Sequence, residues 1–349
     1  MFWIFIISKI FNTRERKTMN LKDYDIIFVS DYTTNHAHTN LSTGTLEMPE
    51  HEYFEEIYNA LKEIGKSFNY VKSPKELIKK ITTVKKPLIL SIWSGKISKN
   101  RKCFVPAICE SYGVPYFGAD AFTNLLCADK IVSKEYAKQF GIKSANYDVV
   151  HSLKDLKTSY DLKYPVVVKP VCEGGSIGIS SKESIVYNAE DANKLIKKLL
   201  KNFTPIMLEE YIQGFEVSVI VFGNKTEILR TGVTQLIING KKFFTNEIWG
   251  YEDKKIDETA SIECDGSELK DKIPWQNIQA LFHSFDKVEL IRFDGRINDD
   301  GFFLIELSPD AYIGSEGSVG YLYTKILKMS IKDMLIEFLT NSLNSNLIH

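Results

Sequence analysis

The chain has 349 residues, 44% of them apolar, which is enough for a large core and more than one core usually holds, so two or three subdomains are expected. Its 44 basic and 45 acidic residues leave a formal net charge of -1. That balance excludes a nucleic-acid binder held by its overall field, but not a local phosphate site.

The opening run from Met1 to Phe11 is apolar but interrupted by Lys9, and a charged stretch to Lys17 follows. No basic stretch precedes it, and at about 1.5 Å per residue it is too short for a ~30 Å hydrocarbon core. Residues 1–20 are therefore read as a flexible extension, with Met19 as an alternative start and no stable membrane insertion. The β-branched and aromatic residues from Tyr24 to Ser30 suit a buried strand. A helix is expected over residues 52–65, with Phe54, Ile57, Tyr58, Leu61 and Ile64 on one face. Residues 74–81 read as a helix, 87–93 as a strand, 105–113 as a helix and 114–118 as a short strand or turn. This alternation predicts an open α/β domain over residues 21–125.

A helix over 130–141 opens a second region, 126–215, with strands at 145–150, 166–169 and 205–210 and a helix at 191–200. The third, 216–340, has strands at 216–222, 228–238, 288–294 and 302–307, a helix at 275–285 and one C-terminal helix at 320–339. Between Asn239 and Asp265 lies a polar connection longer than a compact domain needs, read as a lid, a binding loop or a disordered segment. Cysteines 103, 109, 127, 172 and 264 form no Cys-x-x-Cys pair and read as free thiols in a reducing cytoplasm. His36 and His38 have no ligand partners nearby in the sequence and read as loop residues.

Three stretches carry candidate chemistry. In 165-PVVVKPVCEGGSIGIS-180, Lys169 ends a Val-Val-Val run and either snorkels to water or serves the loop that follows. Gly174, Gly175 and Gly178 let backbone N–H groups turn toward an anion, Ser176 adds a hydroxyl and Lys169 a charge. The spacing fits neither a Walker loop nor a dinucleotide fingerprint, so a different phosphate-binding loop is expected. In 207-MLEEYIQGFEVSV-219, Glu209, Glu210 and Glu216 at strand ends are placed to accept from an adenine amino group or a ribose, with Tyr211 and Ile212 beside the base; a solvated turn is the alternative. In 290-LIRFDGRINDDGFFLIELSPD-310, Arg292 and Asp294 point the same way on a strand, and a hairpin brings back Glu306. Asp294 and Glu306 suit Mg2+, and Arg292 a phosphoryl oxygen or oxyanion; a salt-bridge cluster is the alternative.

Together with 114-VPYFGADAFTNLLCADK-130, these segments resemble the ATP-grasp superfamily, most specifically the D-alanine–D-alanine ligases and their carboxylate-amine ligase relatives. The resemblance implies an ATP-grasp fold behind an N-terminal open α/β domain, with ATP and Mg2+ between two subdomains. It assigns Lys130 and Lys169 to the phosphates and the base region, and the loop from Glu173 through Gly174, Gly175 and Ser176 to covering them. Glu209, Glu210, Tyr211 and Ile212 would meet the adenine edge and Glu216 the ribose. Asp294, Glu306 and Ser308 would form the metal site, and Arg292 would stabilise the oxyanion formed when an amine attacks an acyl phosphate. Where such lids carry a Lys-Tyr pair near the chemistry, 245-TNEIWGYED-253 offers Trp249 and Tyr251 at altered spacing. Gly175 replaces a serine and Ser308 an asparagine, and residues 30–44 lack the family's Gly-Gly-x-Ser-x-Glu stretch. The expected function is ATP-dependent joining of a small carboxylate to an amine, with a product other than D-alanyl-D-alanine. Phosphorylation or a non-amine acceptor, and a regulatory nucleotide binder, remain alternatives. The expected partners are small molecules, and a homodimer is left open.

Overall fold

The computed structural model describes residues 20–33, 47–95, 99–250 and 261–345. All but the last residue of the expected N-terminal extension lies outside them. Near the start, β1 (Asp25–Val29), β2 (Ser67–Val71) and β3 (Pro87–Ser91) form a parallel sheet in the order β2-β1-β3. All five residues of β1 are buried, because helices cover both faces of the sheet. On one face α1 (His51–Leu61) buries Phe54, Ile57 and Leu61; on the other lie α2 (Pro74–Ile81) and α3 (Phe104–Tyr112). β2 has no counterpart in the sequence reading: it is a half-exposed edge strand without a continuous apolar run.

Two helices follow, α4 (Ala121–Ala128) and α5 (Lys130–Gln139), and then the short β4 (Lys143–Ser144). Neither α4 nor its cap was expected, although Asp120 accepts from the Thr123 N–H at 2.6 Å. The second sheet is antiparallel, with β5 (Tyr147–Val150), β6 (Val166–Pro170), β7 (Ile185–Val186) and β8 (Ile206–Glu210) in the order β5-β8-β6-β7. Against it α6 (Ala189–Leu199) packs Ala192, Leu195, Ile196 and Leu199, closing an apolar core drawn from residues 150–208 alone.

The largest sheet contains β9 (Gly214–Asn224), β10 (Glu227–Ile238), β12 (Ser261–Asp265), β13 (Leu290–Asn298) and β14 (Gly301–Ser308), in the order β12-β10-β9-β13-β14-β4. The short β11 (Phe243–Phe244) pairs with β9. One face is covered by α4, α5 and α7 (Trp275–Ser284). The other joins the N-terminal sheet: Ile220, Phe222 and Leu290 share a core with Ile26, Phe28 and the C-terminal helices.

That C-terminal region departs from the single helix expected over 320–339. It is α8 (Ser318–Tyr321), a π-helical turn over Leu322–Ile326, and α9 (Ile331–Ser345). Lys328 adopts φ +57 and the Met329 N–H returns to the Tyr323 carbonyl, ending the first segment; Ser330 Oγ then accepts from the Asp333 N–H and starts the next.

Within the hairpin of β13 and β14, Asp294 pairs with Glu306 but Gly295 pairs with Leu304, leaving Ile305 as an extra residue. Simple alternation would send Glu306 inward with Phe302 and Leu304. The bulge shifts the phase, so Leu307 is the next buried residue and Glu306 turns outward.

Candidate functional site

The three sheets enclose a cleft of about 1250 Å³, and every expected site residue except Tyr251 lines it. Tyr251 lies outside the described residues, as does most of the second half of the connection over 239–265.

At one wall β6 carries Lys169 one residue before its end; the side chain is 4% exposed and does not snorkel, its Nζ lying 2.5 Å from Glu209 Oε2 on the neighbouring β8. The other oxygen of Glu209 lies 2.6 Å from the Nζ of Lys134, a fully buried residue of α5 that also donates to the Leu304 carbonyl at 2.8 Å. Burial pushes the Lys134 ammonium down to about 8 against the pull of Glu209. Burial alone would raise Glu209, but Lys134 and Lys169 outweigh it and hold the carboxyl below its ordinary range. From the first turn of α5, Lys130 donates to the Glu173 carbonyl and lies 3.2 Å from Glu306.

The glycine-rich loop follows β6. Gly175 and Ser176 have φ +60 and +64, and Gly178 has φ +75, with Pro170 Cγ only 2.6 Å from where its Cβ would be. The N–H of Gly174 donates to Glu47 Oε1 at 2.7 Å. Glu47 also bonds Arg101 and lies 3.6 Å from Lys102; Arg101 reaches Glu173 at 3.3 Å and Lys102 reaches Asp310 at 2.6 Å. This ionic chain links the N-terminal part of the chain, the loop and the segment after β14. Burial would raise the Glu47 carboxyl, yet Lys102 and Arg101 bring it down to about 2.

Beyond the loop, alternation separates the two glutamates that end β8. Glu209 faces the lysines, whereas Glu210 accepts from Asn146 Nδ2 at 2.9 Å and the Lys163 N–H at 2.8 Å. Tyr211, Ile212 and Glu216 lie together at this end of the cleft, tied by Arg296, which holds Glu216 at 2.9 Å.

At the opposite end, Arg292 Nη2 donates to Asp294 Oδ2 at 2.7 Å, its Nη1 reaches Ser318 Oγ at 3.2 Å, and Ser218 Oγ donates to Asp294 Oδ1 at 2.7 Å. Burial raises Asp294, with Arg292 opposing and Glu306 adding to the shift. Burial would raise Glu306 as well, but Lys130, Arg292 and Lys169 bring it down to about 2. Among the described residues no three carboxylate, histidine or cysteine side chains converge as a complete metal cage. A facing pair of carboxylates nevertheless fits Mg2+, which usually takes one or two from the protein and the rest from phosphates and water. Ser308 lines the same end, and Trp249 lies on the cleft wall.

Against known families, residues 136–309 match the one described as the D-ala D-ala ligase C-terminus. That segment belongs to the D-ala D-ala ligase family. A D-alanine–D-alanine ligase of Aquifex aeolicus is 28% identical over 163 residues, which are 47% of this chain and 54% of that protein. The chain thus spans about half the length of this curated relative. Among solved structures, the D-alanine–D-alanine ligase of Bacillus anthracis complexed with ATP superposes with a TM-score of 0.68 at 18% identity, over 92% of this chain and 98% of that one. The VanG D-Ala:D-Ser ligase of Enterococcus faecalis gives 0.61 at 17% identity, over 93% and 99%. The fold is therefore ATP-grasp.

Several residues of this cleft carried no expectation from the sequence. Lys134 stands one helical turn after Lys130, a spacing that was readable. Arg296 continues the alternation of Arg292 and Asp294, but lies beyond the strand expected over 288–294, whereas β13 runs to Asn298. Glu47, Arg101 and Lys102 come from aperiodic segments and carried no local signal. Glu263, on β12, also lines the cleft, and burial raises its carboxyl.

Proposed function

We propose that the chain is an ATP-dependent carboxylate-amine ligase whose product is not D-alanyl-D-alanine. The observation that carries the reading is the convergence of Lys130, Lys169, Arg292, Asp294 and Glu306 on one cleft, opposite a loop of left-handed glycines. The D-alanine–D-alanine and D-Ala:D-Ser ligases to which it is similar support the reaction class.

Lys130 and Lys169 hold the phosphates of ATP, the loop at 173–178 covers them, Tyr211 and Ile212 border the base and Glu216 takes the ribose. Asp294 and Glu306, with Ser308 beside them, would hold Mg2+. Bound there, it would neutralise charge on the phosphates. A substrate carboxylate oxygen bonds the γ-phosphorus as the bridging P–O bond breaks and ADP leaves. The amine nitrogen then bonds the acyl carbon, the C–O bond to phosphate breaks, and the amine proton passes to solvent. Arg292 steadies the oxyanion between these last events. A different product is favoured by Gly175 and Ser308, and by the Tyr53–Tyr312 stack at 3.8 Å, which with Trp249 gives the cleft an aromatic lining.

The test is incubation with ATP, Mg2+ and a mixed amino-acid pool that includes D-alanine, followed by phosphate release and a search for new masses. An amide mass with stoichiometric ADP supports the proposal. A phosphorylated substrate or nucleotide binding without turnover overturns it, and D-alanyl-D-alanine as the main product overturns the claim about specificity. Asp294→Asn and Glu306→Gln should each raise the Mg2+ needed for half-maximal turnover by at least tenfold; an unmoved magnesium titration would make the pair structural.

A further inference from the structure

We propose that Arg296 is a positioning residue that makes the turn over residues 241–247 answer to the nucleotide pocket. The inference rests on the reading that Tyr211, Ile212 and Glu216 hold a nucleotide. Arg296 lies on β13 two residues beyond Asp294 and is 4% exposed. Its Nε and Nη2 donate to one oxygen, Glu216 Oε2, at 3.1 and 2.9 Å. Nη1 donates to the Ile212 carbonyl at 2.8 Å, and Nη2 also to the Glu247 carbonyl at 2.9 Å. The guanidinium carbon stands 4.5 Å from the centre of the Tyr211 ring, and the Tyr211 hydroxyl donates to the same Glu247 carbonyl at 2.7 Å.

Glu247 is the root of the segment that leads to Trp249. Its carboxylate accepts from the N–H of Thr245 at 2.8 Å and of Asn246 at 3.1 Å and pairs with Lys241, so residues 241–247 form a closed turn. One planar fork therefore holds the Ile212 carbonyl, the Glu216 carboxylate and this turn together. Four of the five N–H groups of an arginine are committed here. Nucleotide would consequently act on Arg296 through Glu216, whose other oxygen accepts no hydrogen bond among the described residues, and through Ile212. Fixing those two fixes the fork, and the fork fixes Glu247. A lysine at this position would satisfy these acceptors one at a time.

The test uses the full chain with Mg2+ and the non-hydrolysable analogue adenylyl imidodiphosphate, read by calorimetry and by hydrogen–deuterium exchange over residues 241–250. In the unmodified protein the analogue should slow exchange of this segment. Arg296→Met should weaken binding about tenfold and abolish the slowing even at saturation. Arg296→Lys should restore more of the affinity than of the protection. Should Arg296→Met fail to fold, Tyr211→Phe removes one of the two donors to the Glu247 carbonyl and should lose part of the protection. Wild-type protection in a saturated Arg296→Met, or in Tyr211→Phe where the former does not fold, overturns the inference alone. An unmodified protein that does not bind the analogue overturns the nucleotide reading as well.

Discussion

Glu209 serves two buried cations at once, one oxygen for Lys169 and the other for Lys134, so the charge at this end of the cleft is set by a triad and not by one lysine. Lys169→Ala should therefore weaken ATP binding by about one to two decades, since charge-assisted bonds contribute roughly 1.5–3 kcal/mol. Unchanged affinity in calorimetry on the folded variant would remove Lys169 from the phosphate site. Glu47 gives a prediction with a sign. Its carboxyl stands at about 2 in the folded protein, below the ordinary 4.5, so the folded state binds fewer protons between these values. The stabilisation is complete above about pH 4.5 and is lost as the pH falls toward 2, to a limit of about 3 kcal/mol. Comparing acid unfolding of Glu47→Gln with the unmodified protein should show the variant losing less stability across that window; parallel curves would mean that the Glu47 contacts contribute nothing. Lys169 and Arg292 were legible one residue at a time, from the small-residue loop and from strand alternation. Glu47 was not, because its partners Arg101 and Gly174 are 54 and 127 residues away.

At the scale of elements, the glycine-rich loop and the hairpin show two different limits of reading. The loop announces itself by composition, and its φ values explain why: a Cβ at Gly178 would be strained by the left-handed backbone and by Pro170 together. Gly178→Ala should cost at least about 1 kcal/mol and weaken ATP binding. Gly175→Ser, where nothing lies within 4 Å of the added Cβ, should bear only the backbone strain. Thermal unfolding with and without ATP separates the two, and equal losses would show that packing against Pro170 is immaterial. The hairpin is harder. Alternation correctly joins Arg292 to Asp294, but Glu306 reaches the cleft only through the extra residue at Ile305, and a run of apolar side chains on both sides of that point gives no sign of a bulge. The C-terminal helix fails for a related reason, since apolar spacing continues across Lys328 while the backbone turns left-handed there.

Across the whole molecule, the overall order of strands and helices was legible because hydrophobic periodicity survives in a chain of this length, whereas the partition of its cores was not. The N-terminal sheet shares buried residues with β9, β13 and α9, so the two ends of the described chain are sealed into one apolar body. The four-stranded sheet that carries Lys169, Glu209 and the glycine-rich loop keeps a core of its own. Such an arrangement should melt in two stages. Scanning calorimetry without ligand is expected to show an early transition from residues 145–210 ahead of the main one. ATP, which would bridge both bodies, should lift the early transition until the two merge, by simple mass action. A single endotherm whose calorimetric and van't Hoff enthalpies agree without nucleotide would show that the bodies are already one cooperative unit. If the two stages are found, the separate core has a thermodynamic meaning: the half that carries Lys169 and the glycine-rich loop can loosen and reform on its own, while the larger body keeps Arg292 and the carboxylate pair in place.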